Sequence, residues 1–266
     1  MLGLGLGESL RSTIARVRNQ PRLIRVLAAN FVLVPALGHL LLRVFALDRS
    51  EAAGLFLIAS AAGAPFLVPL TRIARGDLEY AATLLLVLVP LTIVLLAIAL
   101  PWALPIRVGL WTVARPLLWT MLLPLLAGLL IGPAAPHFAA RARPLLQRLS
   151  QLALAVFAAA AIGAHVDALH AIVTGRTLFA ILLLALGASG IGWALGGRRL
   201  EIRKVVALGT AMRNFTAANV LAATAFEDPR VLVMVVSSSL LVLATLVLLA
   251  LGLRRQTSPI SRRPLV

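Results

Sequence analysis

Residues 205–226 read VVALGTAMRNFTAANVLAATAF, an apolar run of bilayer-crossing length with a single charge, Arg213, near its middle. A membrane helix needs about 20 mostly apolar residues to cross the hydrocarbon core. An arginine at the bilayer centre costs roughly 2.5–3.5 kcal/mol on insertion scales unless it finds a partner or water. Gly209 weakens helix formation in the same stretch. The stretch therefore predicts a discontinuous membrane helix with a guanidinium at its interruption.

The rest of the chain is built of similar material. Of its 266 residues, 61% are hydrophobic and 13% charged, with a mean hydropathy of +1.01. A soluble domain is about half apolar and a quarter charged, whereas a bilayer protein needs apolar surface toward lipid as well as in its core. Stretches free of Lys, Arg, Asp and Glu cover Val26–Leu42, Ala52–Thr71, Tyr80–Ile106, Pro116–Ala140, Leu149–Val166, Thr177–Gly197 and Val231–Leu253. With 205–226 they predict an all-α polytopic membrane protein of about eight transmembrane helices. Short connections divide the chain into a basic N-terminal cytoplasmic segment (1–25), one transmembrane domain (26–253) and a basic C-terminal tail (254–266).

The net charge of +16 comes from 25 Lys+Arg against 9 Asp+Glu. The arginines lie in short clusters between apolar runs, which reads as topology signals and contact with the lipid bilayer, not as nucleic-acid binding. With the N-terminus inside, 18 basic residues fall on inner segments and 6 on outer ones, Arg213 being the remaining one. This bias predicts a multi-pass protein of the inner (plasma) membrane with both ends in the cytoplasm. The chain has no cysteine, which excludes disulfides, thiol chemistry and Cys-ligated metals.

A second span is also interrupted. Ala61-Ala62-Gly63-Ala64-Pro65, followed by Pro69, sits near the middle of span two. Pro removes a helix hydrogen bond and Gly weakens the helix. Each interrupted helix is the second of a triplet, spans 1–3 and spans 6–8, and the expected topology runs them in opposite directions. That is the arrangement of inverted-repeat transporters, whose broken helices meet at mid-membrane.

At this point the residues resemble the bile acid:sodium symporter superfamily. Ala207-Leu208-Gly209-Thr210-Ala211-Met212-Arg213-Asn214-Phe215-Thr216, continued by Ala217-Ala218-Asn219-Val220-Leu221-Ala222 and the Phe226-Glu227-Asp228-Pro229 corner, is similar to the family's ninth helix and its exit. Ala74-Arg75-Gly76-Asp77 resembles the end of its fourth, and Leu122-Leu123-Pro124-Leu125-Leu126-Ala127-Gly128-Leu129-Leu130 its sixth. The similarity runs from about residue 10 to residue 253. It implies a core domain (26–106 and 177–253), in which two broken helices cross, and a panel domain, here reduced to 116–166. It also implies a secondary transporter of organic anions coupled to sodium. This chain is N-terminally short by two panel helices, which an upstream start codon, a homodimer or a partner chain would supply. By the same resemblance the family's sodium-binding carboxylate falls on Gly209, a neighbouring glutamine on Arg213, and a Ser-Asn pair on Leu67 and Val68. Sodium coupling is therefore expected to be lost. No other cofactor and no metal is expected.

The candidate substrate-binding residues are Arg213, Asn214, Thr210, Thr216 and Asn219, and the candidate crossover residues are Gly63, Ala64, Pro65 and Gly209. A guanidinium binds carboxylate, sulfonate or phosphate through a fork of donors; alternatively, Arg213 caps carbonyls freed by the break in span two. Weaker candidates are His39 for proton coupling, His165, Asp167 and His170 as metal ligands, and the Ser237-Ser238-Ser239 run in the permeation path. Trp102, Trp111, Trp119 and Trp193 read as interfacial belt residues, with ligand stacking as the lesser alternative, and Asp77 and Glu79 as ion-pair partners of Arg72 and Arg75. No phosphate loop, HExxH or nucleophile elbow is present, so no enzyme is expected. The expected function is secondary transport of a small or amphipathic organic anion. Its rival is a non-transporting assembly or regulatory subunit that keeps the core fold.

Overall fold

The computed structural model describes residues 1–7, 23–103, 110–164 and 175–256. A short N-terminal helix, α1 (Leu2–Gly5), precedes α2 (Leu23–Val44), whose turn at Ala29–Leu33 widens to π-helix. Next come α3 (Arg49–Ser60), α4 (Leu67–Ile73), α5 (Leu78–Ala103) and α6 (residues 110–134, with a π-turn at Leu118–Leu122). The chain continues through α7 (Pro136–Ala164), α8 (Gly175–Leu195), α9 (Leu200–Ala211), α10 (Phe215–Ala225) and α11 (Pro229–Arg254). Among the described residues five helical stretches are long and apolar enough to cross a membrane: Leu23–Val44, Leu78–Ile98, Trp111–Ala134, Gly175–Leu195 and Pro229–Arg254. The protein is a polytopic all-α membrane protein.

Helix starts follow their local chemistry. A capping box opens α3, with the Asp48 side chain accepting from Glu51 N–H at 2.8 Å and Glu51 Oε2 accepting from Asp48 N–H at 3.0 Å. Asp77 caps α5 by accepting from Tyr80 N–H at 2.9 Å. That is a correction to the expected pairing of Asp77 with Arg72 and Arg75: an acceptor at a helix N-cap meets orphan N–H groups without leaving the backbone. Asp228 caps α11 ahead of Pro229, which stands where a missing N–H costs nothing.

Both π-turns have a local cause. Pro35 follows the first and Pro124 the second, each two residues beyond its end. A proline lacks the N–H that its i−4 carbonyl needs, and its ring crowds that carbonyl; widening the preceding turn relieves both.

The helical segments at 49–73 and 200–225 are both discontinuous. The first break follows Gly63-Ala64-Pro65: Gly63 has φ +76°, and a Cβ there would lie 2.6 Å from Leu88 Cβ, so backbone conformation and packing both require glycine. The second break falls at Met212–Asn214, around Arg213 as expected and beyond Gly209. Gly209 stays inside α9 because its missing side chain serves packing; a Cβ there would lie 3.0 Å from both Leu67 Cδ2 and Leu84 Cδ2.

Two boundaries also differ from expectation. α7 begins at Pro136, well before the apolar stretch at Leu149, since nothing but Pro144 interrupts helix in between. Residues 1–7 are packed into the molecule: Gly5 lies against Gly128, and Gly132 meets Leu6, so backbone touches backbone where side chains are absent.

Candidate functional site

The two interruptions cross. Ala62 and Arg213 form an isolated antiparallel bridge, and Asn214 N–H donates to the Ala61 carbonyl at 2.7 Å. Thr92 Oγ1 on α5 donates to the Ala62 carbonyl at 2.8 Å, and Asn214 Nδ2 donates to the Gly63 carbonyl at 2.9 Å. Each break therefore satisfies backbone groups that the other exposes, as a buried interruption in a membrane must.

Four helix ends meet here with unlike polarity. α3 and α9 arrive by their C-termini, with orphan carbonyls and partial negative charge, while α4 and α10 leave by their N-termini. Arg213, 1% exposed, sits on the negative ends. Its Nε donates to Ile58 O at 3.1 Å, and Nη1 to Thr210 O at 2.9 Å and Asn30 Oδ1 at 3.1 Å. Nη2 donates to Ala59 O at 2.5 Å and Asn30 O at 3.4 Å. A guanidinium has five N–H donors, and all five are engaged, each with an oxygen. The freed carbonyls it caps are those of Ile58 and Ala59, just ahead of the Ala62–Pro65 segment.

Asn30 completes this shell from the π-turn of α2. Its Nδ2 donates to Val26 O at 2.9 Å and reaches Thr210 Oγ1 at 3.5 Å. The sequence reading passed over Asn30; its signal was available, since it is the lone amide inside an apolar span and such residues are costly there. On the opposite side, Met121 in the π-turn of α6 places Sδ 3.9 Å from Asn214 Nδ2. Each π-turn thus presents one side chain to the crossing.

The expected site residues divide into two groups. Arg213, Asn214 and Thr210 are buried together in the crossing, with Gly63, Ala64 and Pro65 forming the opposite break. Asn214 also caps α10 by accepting from Ala217 N–H at 3.1 Å. Thr216 and Asn219 lie beyond it on α10: Thr216 is exposed, and Asn219 is buried with no hydrogen-bond partner at Oδ1.

A cavity of about 330 Å³ opens between α6 and α10, lined by Trp111, Thr112, Arg115, Pro116, Trp119 and Thr224. Arg115 was read only as an outer topology charge, and the two tryptophans as belt residues with ligand stacking as the lesser alternative. Nothing in one sequence places α10 opposite them. Elsewhere, Ser237 and Ser239 donate to carbonyls of their own helix, at 2.8 and 2.6 Å, and His39 is exposed on α2. Trp193 lies under the Arg203 guanidinium at 4.3 Å. His165, Asp167 and His170 lie outside the described residues, as does the side chain of Trp102.

The family model described as the Sodium Bile acid symporter family matches residues 1–172, which takes in the first broken helix and α6 and α7. No curated protein matches the chain. With a match over more than half its length, and with the crossing expected from the resemblance, the chain belongs to the sodium bile acid symporter family, a family of transporters.

Proposed function

We propose that this protein is a secondary transporter of small or amphipathic organic anions that works without sodium, with the Arg213 guanidinium as its permanent internal cation. The observation that carries this reading is the shell of five oxygens around Arg213, drawn from α2, α3 and α9. A donor-only guanidinium neutralises the two helix C-termini that a mobile cation would otherwise have to serve. The positions matched to the family's ion ligands support the same reading. Gly209 faces Leu67 and Leu84 methyl groups, and none of the four matched positions, Gly209, Arg213, Leu67 and Val68, has a side-chain oxygen to offer a hard cation. A sodium ion beside Arg213 would also be repelled.

In this reading Arg213, Asn214 and Thr210 form the pivot, while Thr216 and Asn219, on the N-terminal half of α10, face the substrate path. The positive end of α10 favours an anion there. Eight crossings in two inverted triplets, cytoplasmic ends and residence in the inner membrane complete the proposal, with 116–166 as the panel. Support comes from the two breaks, each lying between two long apolar helices, and from the inner bias of basic residues.

The test is flux of radiolabelled organic anions into proteoliposomes, with and without a sodium gradient. Saturable uptake that ignores sodium and is lost in Arg213→Leu is the expected result. Uptake that rises several-fold with a sodium gradient overturns the internal-cation reading. Silence toward every anion by well-folded protein favours the assembly-subunit rival.

A further inference from the structure

Three segments remote in sequence end together at one pole of the molecule. Lys204 Nζ, on a residue 3% exposed, donates to Ala74 O at 3.0 Å and to Gln256 O at 2.9 Å. Asp77 N–H donates to Glu201 O at 3.4 Å. The ends of α4 and α11 and the start of α9 are thereby fixed side by side, together with the arginines they carry. Arg203 is spent on Trp193, lying over its ring and donating from Nε to its carbonyl at 2.8 Å. Arg72, Arg75, Arg198, Arg199, Arg254 and Arg255 are all exposed, and none is in an ion pair. The two ion pairs among the described residues, Arg176–Glu51 and Arg230–Asp228, lie at the opposite pole, where α11 begins.

We propose that this pole holds one anionic phospholipid, its headgroup phosphate shared by arginines from the ends of α4 and α11 and the α8–α9 turn, and its acyl chains lying along α11 and α8. Three observations carry it. A topology signal needs only that positive charge stay on one side of the bilayer; here a buried amine also locks three charged ends into one place, and the chain supplies no carboxylate to pair with the six guanidiniums. Arg75 has φ +55°, a left-handed conformation that strains a non-glycine residue, immediately before Gly76, which would adopt it freely. An exposed guanidinium is thus held at a fixed point at the expense of backbone strain. Finally, Leu248 and Leu251, 70% and 45% exposed, share with Gly252 the face of α11 that ends at Arg255, about 10 Å along the helix. A Cβ on Gly252 would meet nothing within 4 Å, and α8, packed against α11, has exposed Leu183 and Leu186 and an equally open Gly190. Guanidiniums at the end of open apolar faces match a phosphate carried on acyl chains; a soluble anion would use the arginines alone. Lipid binding here is independent of what the protein transports.

The test uses the full chain, delipidated in detergent and titrated with phosphatidylglycerol or phosphatidylcholine, read by native mass spectrometry and by thermal midpoint. Phosphatidylglycerol should bind about ten-fold or more tightly than phosphatidylcholine, in line with one or more charge-assisted contacts, and should raise the midpoint. Arg254→Gln/Arg255→Gln should abolish that preference. Arg75→Gly should weaken phosphatidylglycerol binding several-fold while its midpoint without lipid is no lower than that of wild type, a combination that a purely structural arginine would not give. Arg43→Gln/Arg49→Gln, exposed at the opposite pole, should bind as wild type does. Equal affinity of the wild type for the two lipids overturns the proposal, and so does phosphatidylglycerol binding that ignores both inner substitutions. An equal loss in Arg43→Gln/Arg49→Gln overturns it in favour of diffuse charge. A midpoint rise produced equally by glycerol 1-phosphate, which has the phosphate without acyl chains, overturns it in favour of a soluble anion.

Discussion

Arg213 is a large buried side chain in a bilayer protein, and its five hydrogen bonds to oxygens are what make it tolerable there. Arg213→Leu strands carbonyls at two helix ends and should cost about 3 kcal/mol or more, at roughly 1–3 kcal/mol per unsatisfied group. Arg213→Lys keeps the charge but offers three donors from one point, so its thermal midpoint in detergent should fall between wild type and Arg213→Leu. Gly63→Ala forces an L side chain into φ +76° against Leu88, and a loss of about 1–3 kcal/mol is expected in the same measurement. At the head of α11, the Ser50 hydroxyl donates to Asp228 at 2.5 Å and, with Arg230 N–H and the Arg230 charge, holds the Asp228 carboxyl below its usual range. A carboxylate with a lowered folded pKa adds stability above the ordinary carboxylate range and loses it as pH falls through the folded value. Unfolding midpoints measured downward from neutrality should therefore show a decline below about pH 4 that is blunted in Asp228→Asn.

At the scale of elements, the device that recurs is a helix made imperfect where another must meet it. The π-turn of α2 delivers Asn30 to Arg213, and the π-turn of α6 delivers Met121 to Asn214. Lys204, in the regular first turns of α9, ties elements differently, donating to Ala74 O at 3.0 Å and Gln256 O at 2.9 Å and so joining the ends of α4 and α11. The N-terminal helix is seated by close backbone approach, since a Cβ on Gly128 would meet the Leu2 carbonyl. Gly128→Val should unseat residues 2–6, seen as faster amide hydrogen exchange there, with little change in exchange around the crossing. Unchanged exchange at residues 2–6 would mean that this contact does not hold α1.

For the whole molecule, the proposed topology makes a simple demand on a chain with no native cysteine. A single cysteine at Ser50 should react with a membrane-impermeant maleimide added outside intact cells. One at Gln256 should react only after the membrane is opened. Labelling of both from the same side would remove the even number of crossings, and with it the opposed orientation of the two broken helices.

Membership of the all-α membrane class was legible in composition and in the length of the apolar runs, because a bilayer demands about 20 apolar residues wherever a helix crosses it. The first break was legible too, since Gly63 and Pro65 carry their backbone restrictions with them. The second was legible only as a region. Gly209 drew attention, yet the helix stops at Met212–Asn214, where neither Gly nor Pro occurs, because Arg213 and Asn214 gain more from carbonyls on the opposite break than from continuing their own helix. The same limit applies to charge. Sequence shows that Arg213 lies within an apolar span, but only the folded chain decides that it is buried with its donors spent and that Arg115 lines a cavity. Hydropathy is a property of each residue in its place along the chain; hydrogen-bond partners are assigned by the approach of segments far apart in sequence, and that is settled by tertiary packing alone.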